Sequence, residues 1–174
     1  MTEVLEYAGQ FQMDKITIIT STGARFPIES GNVIKIHLHE EIHRPFITGN
    51  ILLHNAGSIS TIGPIIGQEY LELKLKTPAL PNQKDTYIDF SENRFHIYAM
   101  NKLNVGTGTE TIRIKFISGE WIKNMRVQIS QALSGSCSQI VTAMLDKVEC
   151  RKDRFIEDST DFKKIVAPNI NPYS

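Results

Sequence analysis

Residues 49–78 read GNILLHNAGSISTIGPIIGQEYLELKLKTP, two strand patterns on either side of a turn. Residues 46–54 form an apolar run with Gly49 inside it. Residues 70–76 alternate strictly, with Leu71, Leu73 and Leu75 on one face and Tyr70, Glu72, Lys74 and Lys76 on the other. Between them Gly63, Pro64 and Gly67 bracket Ile65 and Ile66, the pattern of a turn that carries its own hydrophobic plug. Gly49, Gly63, Pro64, Ile65, Ile66, Gly67 and Pro78 are therefore the candidate structural residues, expected to set the turn and the register between two consecutive strands. None of them is a catalytic group, so the stretch points to a building block.

The same period of two extends outward. Residues 15–20 are rich in Ile and Thr, Ser21-Thr22-Gly23 supplies a turn, and residues 25–29 return as a short strand that Pro27 assigns to an edge. Residues 33–40 place Ile34, Ile36 and Leu38 on one face and Lys35, His37 and His39 on the other, which predicts one buried and one polar face. Beyond a polar connection at 79–85, strands are predicted at 87–90, 95–101 and 111–117, the last with Ile112, Ile114 and Phe116 facing one way. Short strands at this spacing predict a barrel or sandwich, with contiguous antiparallel pairing as the economical topology.

The character changes at Ser118. Glu120, Trp121, Ile122 and Met125 have helical spacing, and a short helix followed by a strand is predicted there. Ser136-Cys137-Ser138-Gln139 is a capping box, with Ser136 and Gln139 as the helix cap, opening a helix at 136–148 whose apolar stripe is Ile140, Val141, Met144, Leu145 and Val148. The last seven residues hold two prolines and two asparagines and are expected to be an extended connector. The expected class is thus mainly β, a barrel or sandwich with one or two short helices in the C-terminal third. Three parts are expected: an arm over 1–12, a β domain over 13–117, and an incomplete second module over 118–174.

Nineteen basic and nineteen acidic residues cancel, so no net charge draws the chain to nucleic acid or an anionic membrane. The first ten residues carry Glu3 and Glu6 where a secretory signal would carry basic residues. The apolar runs are far short of the roughly 18 residues that span a bilayer. A soluble protein made in a cytoplasm is expected, and Cys137 and Cys150 are expected as reduced thiols.

His39-Glu40-Glu41-Ile42-His43 matches the H-E-x-x-H pattern of zinc hydrolases. That chemistry needs a helix, because only then do residues four apart bring both imidazoles to one metal while the Glu handles the water proton. Here the preceding residues alternate as a strand, and Pro45 restricts Arg44 away from helical geometry. A solvated strand end is the preferred reading, and a zinc hydrolase using His39, Glu40 and His43 is the alternative function. His37 and His39, with His54 or His96 as distant contributors, lack the local spacing that fixes further ligands. No catalytic residue, metal or cofactor is assigned.

Several segments taken in order resemble the central hub proteins of contractile-tailed bacteriophage baseplates and related injection machines. They are residues 11–18 (FQMDKITI), 49–53 (GNILL), 64–73 (PIIGQEYLEL) with Thr77-Pro78, 95–98 (FHIY), 114–120 (IKFISGE) and 165–169 (IVAPN), together running through nearly the whole chain. The resemblance implies β-barrels of the tail-tube type, three copies forming a pseudo-sixfold ring, and a structural role joining tail tube to spike in the virion. It implies the tube, the spike and other baseplate proteins as partners, assembly in the host cytoplasm, and a lumen that passes genome DNA without specific binding. It implies no enzyme activity and no membrane. Hub proteins normally continue beyond the position of Ser174, so the chain is expected to be an N-terminal part or a reduced version of one.

Overall fold

The computed structural model describes residues 11–54, 65–77, 86–104, 110–149 and 154–173. The expected mainly β class with short helices is what it shows. The chain divides into two compact units, Met1–His39 with Thr48–Ile117, and Glu40–Ile47 with Ser118–Ser174.

The strands are β1 (Gln12–Ile19), β2 (Arg25–Pro27), β3 (Val33–Glu41), β4 (Arg44–His54), β5 (Tyr70–Thr77), β6 (Thr86–Asp89), β7 (Phe95–Asn104) and β8 (Glu110–Ser118). They form one sheet in the order β2-β1-β5-β7-β8-β4-β3, with β6 also on β5. This sheet is open and is not closed into a barrel. Pro27 lies on the three-residue edge strand β2, where its missing N–H breaks no ladder.

β5 is central because it satisfies partners along both edges. Ile16 faces Leu73 and Ile18 faces Leu71 across β1, joining two alternating apolar faces, while Leu71 faces Phe95 on β7 and Lys74–Thr77 pair with β6. β4 instead pairs with β8, setting Ile51 against Ile114 and Leu53 against Ile112. These residues, with Ile97 and Phe116, are fully buried, and Phe90, Phe95 and Phe116 stack in a tilted chain with centroids 4.7 and 4.8 Å apart.

The topology corrects the expected strand-turn-strand. β4 and β5 are not neighbours, since β7 and β8 lie between them, so the segment joining them is a crossover and does not set their register. Contiguous pairing holds for β1–β2, β3–β4, β5–β6 and β7–β8 and fails at β2–β3, β4–β5 and β6–β7. The cause is that a turn signal fixes only a local reversal, whereas strand choice follows the complementary apolar faces, and those of β4 and β5 are met elsewhere. β3 also departs from expectation: it ends the sheet, Ile34 is exposed, and none of its residues is fully buried.

In the second unit, α1 (Gly119–Arg126) follows Ser118, β9 (Ile129–Ser136) leads into α2 (Cys137–Lys147), and β10 (Phe162–Ile170) pairs antiparallel with β9 as a two-stranded ribbon. β10 takes up Pro168, Asn169 and Ile170 from the seven residues expected as an extended connector. Its turn-type residues are absorbed by a register shift between Pro168 and Ile170, and Asn169 takes a left-handed φ of 57°. Trp121 packs on Phe46 at 4.3 Å, the Ile47 N–H donates to Ser118 Oγ at 3.3 Å, and the Tyr173 N–H donates to buried Asn124 Oδ1 at 3.0 Å.

Candidate functional site

The residues singled out from sequence play local structural parts and do not converge. Gly49 lies in β4 where a Cβ would run into the Phe116 ring and the His37 carbonyl, so only glycine lets β3 and the β8 aromatic approach this closely. Gly67 has φ +87°, a left-handed conformation open to glycine. Ile66 is exposed and Ile65 half-buried, so neither belongs to the buried core of the chain. Gly63, Pro64 and Pro78 lie outside the described residues.

What holds the segment before β5 is Glu69, which the sequence pattern did not single out. Its buried carboxylate accepts the backbone N–H groups of Ile66 (3.1 Å), Gly67 (2.9 Å) and Gln68 (3.1 Å), and its carbonyl accepts the N–H of Ile97 at 2.9 Å. One side chain thus satisfies three successive donors. Beside it lies a groove of about 290 Å³ lined by Thr20, Ser21, Thr22, Ala24, Phe26, Ile65, Ile66 and Glu69.

Glu72, expected on a solvated face, is 1% exposed. It lies opposite Thr17, and its carboxylate pairs with Lys15 Nζ at 2.8 Å, with Arg94 Nε at 3.0 Å and with the Arg25 guanidinium. Burial pushes its pKa up, but the Lys15 hydrogen bond and the charges of Lys15, Arg25 and Arg94 outweigh that and hold it below the ordinary carboxylate value. The three cationic side chains stay partly exposed while the carboxylate they hold is buried. On the same strand Lys74 bonds Asp89 at 3.3 Å, which raises the lysine pKa, and sits 4.8 Å above the Tyr87 ring.

His39-Glu40-Glu41-Ile42-His43 runs from β3 into the two-residue turn before β4. A strand end and hairpin turn do not give the shared helical face that the zinc pattern uses. His37 and His39 are ring neighbours at 5.9 Å, whereas His96 stacks on Tyr70 at 4.5 Å on strands separated from β3 by β8 and β4. Among the described residues no three His, Cys, Asp or Glu side chains group as a metal site would need. No helix among them is long and apolar enough to cross a membrane.

The predicted helix cap is built as a reciprocal pair. Ser136 Oγ accepts the Gln139 N–H at 3.3 Å and the Gln139 side chain accepts the Ser136 N–H at 3.0 Å. Ser138 and Ser159 extend it, since Ser159 Oγ accepts the Ser138 N–H at 3.0 Å and the Ser159 N–H donates back to Ser138 Oγ at 3.3 Å. The loop before β10 is thereby tied to the first turn of α2.

The surface that stands out lies in the second unit. Its buried apolar residues, among those described, are Ile129, Val148 and Ala167, while Ile42 (95% exposed), Phe155 (93%), Val166 (74%), Phe162 (65%) and Met125 (58%) face outward. The α2 stripe is only part-covered, with Val141 exposed and Ile140, Met144 and Leu145 half-buried. The alternation of β10 makes the ribbon two-faced: Ala167 lies on the inner face, and Phe162, Lys164 and Val166 share the outer one with Ala132 and Ser134 of β9. Exposed apolar side chains on a sheet with free strand edges make a surface suited to another protein. No family model matches the chain, and no curated protein matches it.

Proposed function

We propose that the chain is a structural subunit of a contractile-tail baseplate, the hub that joins tail tube to spike as a ring of three copies. The observation that carries this reading is the second unit, which among the described residues exposes more large apolar side chains than it buries. A unit with that balance gains from burial against a partner what its own core does not supply. The open sheet of the first unit, ending in β2 and β3, offers further edges for strand pairing. The ordered segments that resemble hub proteins give the setting: tube subunits above, a threefold spike below, and a ring that converts one symmetry to the other. The work done is assembly, and the chemistry is burial and edge pairing.

The test is co-expression with a contractile-tail tube protein and a spike protein, followed by imaging of the purified complex. Threefold rings bridging tube and spike are expected. Absence of any complex with either protein, at concentrations where both are soluble, would remove the tail setting.

A further inference from the structure

The outer face of the ribbon reads Phe162, Lys164, Val166 along β10, a lysine between two apolar side chains, all exposed. Lys164 has no ion-pair partner among the described residues. If two ribbons met in a symmetric contact, Lys164 of one copy would face Lys164 of the other, and like charges in a desolvated contact oppose it. The complement lies on the tip of the β3–β4 hairpin. There Ile42 is almost wholly in solvent and Glu40, two residues before it, is exposed. Glu41 beside them is held by Arg44 at 3.2 Å, whereas Glu40 has no such partner among the described residues. Tip and ribbon face are both exposed within one chain, so they do not satisfy each other there.

We infer that the β3–β4 hairpin tip of one copy docks on the β9–β10 ribbon of the next, with Ile42 between Phe162 and Val166 and Glu40 against Lys164. Two different patches meet, so the contact is heterologous, and repetition of a heterologous contact closes a ring or runs on as a filament. The hairpin end is apolar at its apex and acidic at its flank, and the ribbon is apolar with a basic centre. Apolar burial supplies the attraction and the Glu40–Lys164 pair sets direction and register. This deepens the ring reading above and rests on its self-association, not on the phage setting.

The test measures the association constant of the 174-residue chain by analytical ultracentrifugation for the wild type, Glu40→Lys, Lys164→Glu and the double variant. Circular dichroism checks that each stays folded, which these exposed positions permit. Each single reversal is expected to weaken association by about tenfold or more, and the double variant to recover to within a few-fold of wild type. Ile42→Asp, which leaves the charge pair intact, is expected to weaken it as well. Wild type that assembles while both single reversals associate normally would overturn the contact and leave the ring reading standing. Wild type that stays monomeric throughout would overturn both. Loss of binding to the tail-tube protein in Lys164→Glu, with self-association unchanged, would assign the ribbon to the tube and overturn the proposal.

Discussion

Glu72 is one charge in the interior of a face that its sequence period assigns to solvent. It is tolerated because three cations reach it from β1, the start of β2 and the turn before β7. Alternation reports which side of the strand a residue lies on, and not whether long side chains close over that side; hence Glu72 was not legible. Because its folded pKa is lowered, its stabilising contribution is complete above the ordinary value of 4.5 and is lost as pH falls through the folded value. Glu72→Gln is expected to cost on the order of 2 kcal/mol at pH 7, the partly solvated cations softening the loss, and to flatten the acid limb of a stability profile followed by urea denaturation. Gly49 is a second position of this kind. Gly49→Ala forces the Phe116 ring or the β3 backbone to move and is expected to lower stability by about 2 kcal/mol, read as a shift in the urea midpoint at unchanged slope.

Among the elements, those with a strong local signal were legible: β5 and β8 from their alternation, α2 from Ser136 and Gln139. Pairing was not, because Ile51 meeting Ile114 and Ile16 meeting Leu73 are agreements between distant faces that no turn signal encodes. β10 was hidden by Pro168 and Asn169, residues of turns, which the ribbon accommodates with a bulge at its end. The turn before β5 was visible in Gly67 but its anchor, Glu69, was not, since a carboxylate bonding three neighbouring N–H groups leaves no periodic trace. Ser136→Ala is expected to cost about 1 kcal/mol and to raise amide hydrogen exchange in the first turn of α2, with β5 protection unchanged. Glu69→Gln keeps the shape but weakens the charge-assisted bonds, so exchange at Ile66, Gly67 and Gln68 is expected to accelerate.

At the scale of the whole molecule, two units carry different burdens. The first has a full apolar core between strands whose faces agree, and the second leaves Phe155, Phe162 and Val166 in water. A chain folded for its own sake would gain by replacing those side chains with polar ones; a subunit keeps them for the neighbour that covers them. The measurement that tests this most directly is the native mass of the purified chain across concentration, by light scattering coupled to size exclusion, with negative-stain imaging of the largest species. A concentration-dependent threefold ring is expected. A single monomeric species at every concentration, with or without added tail-tube and spike proteins, would contradict this.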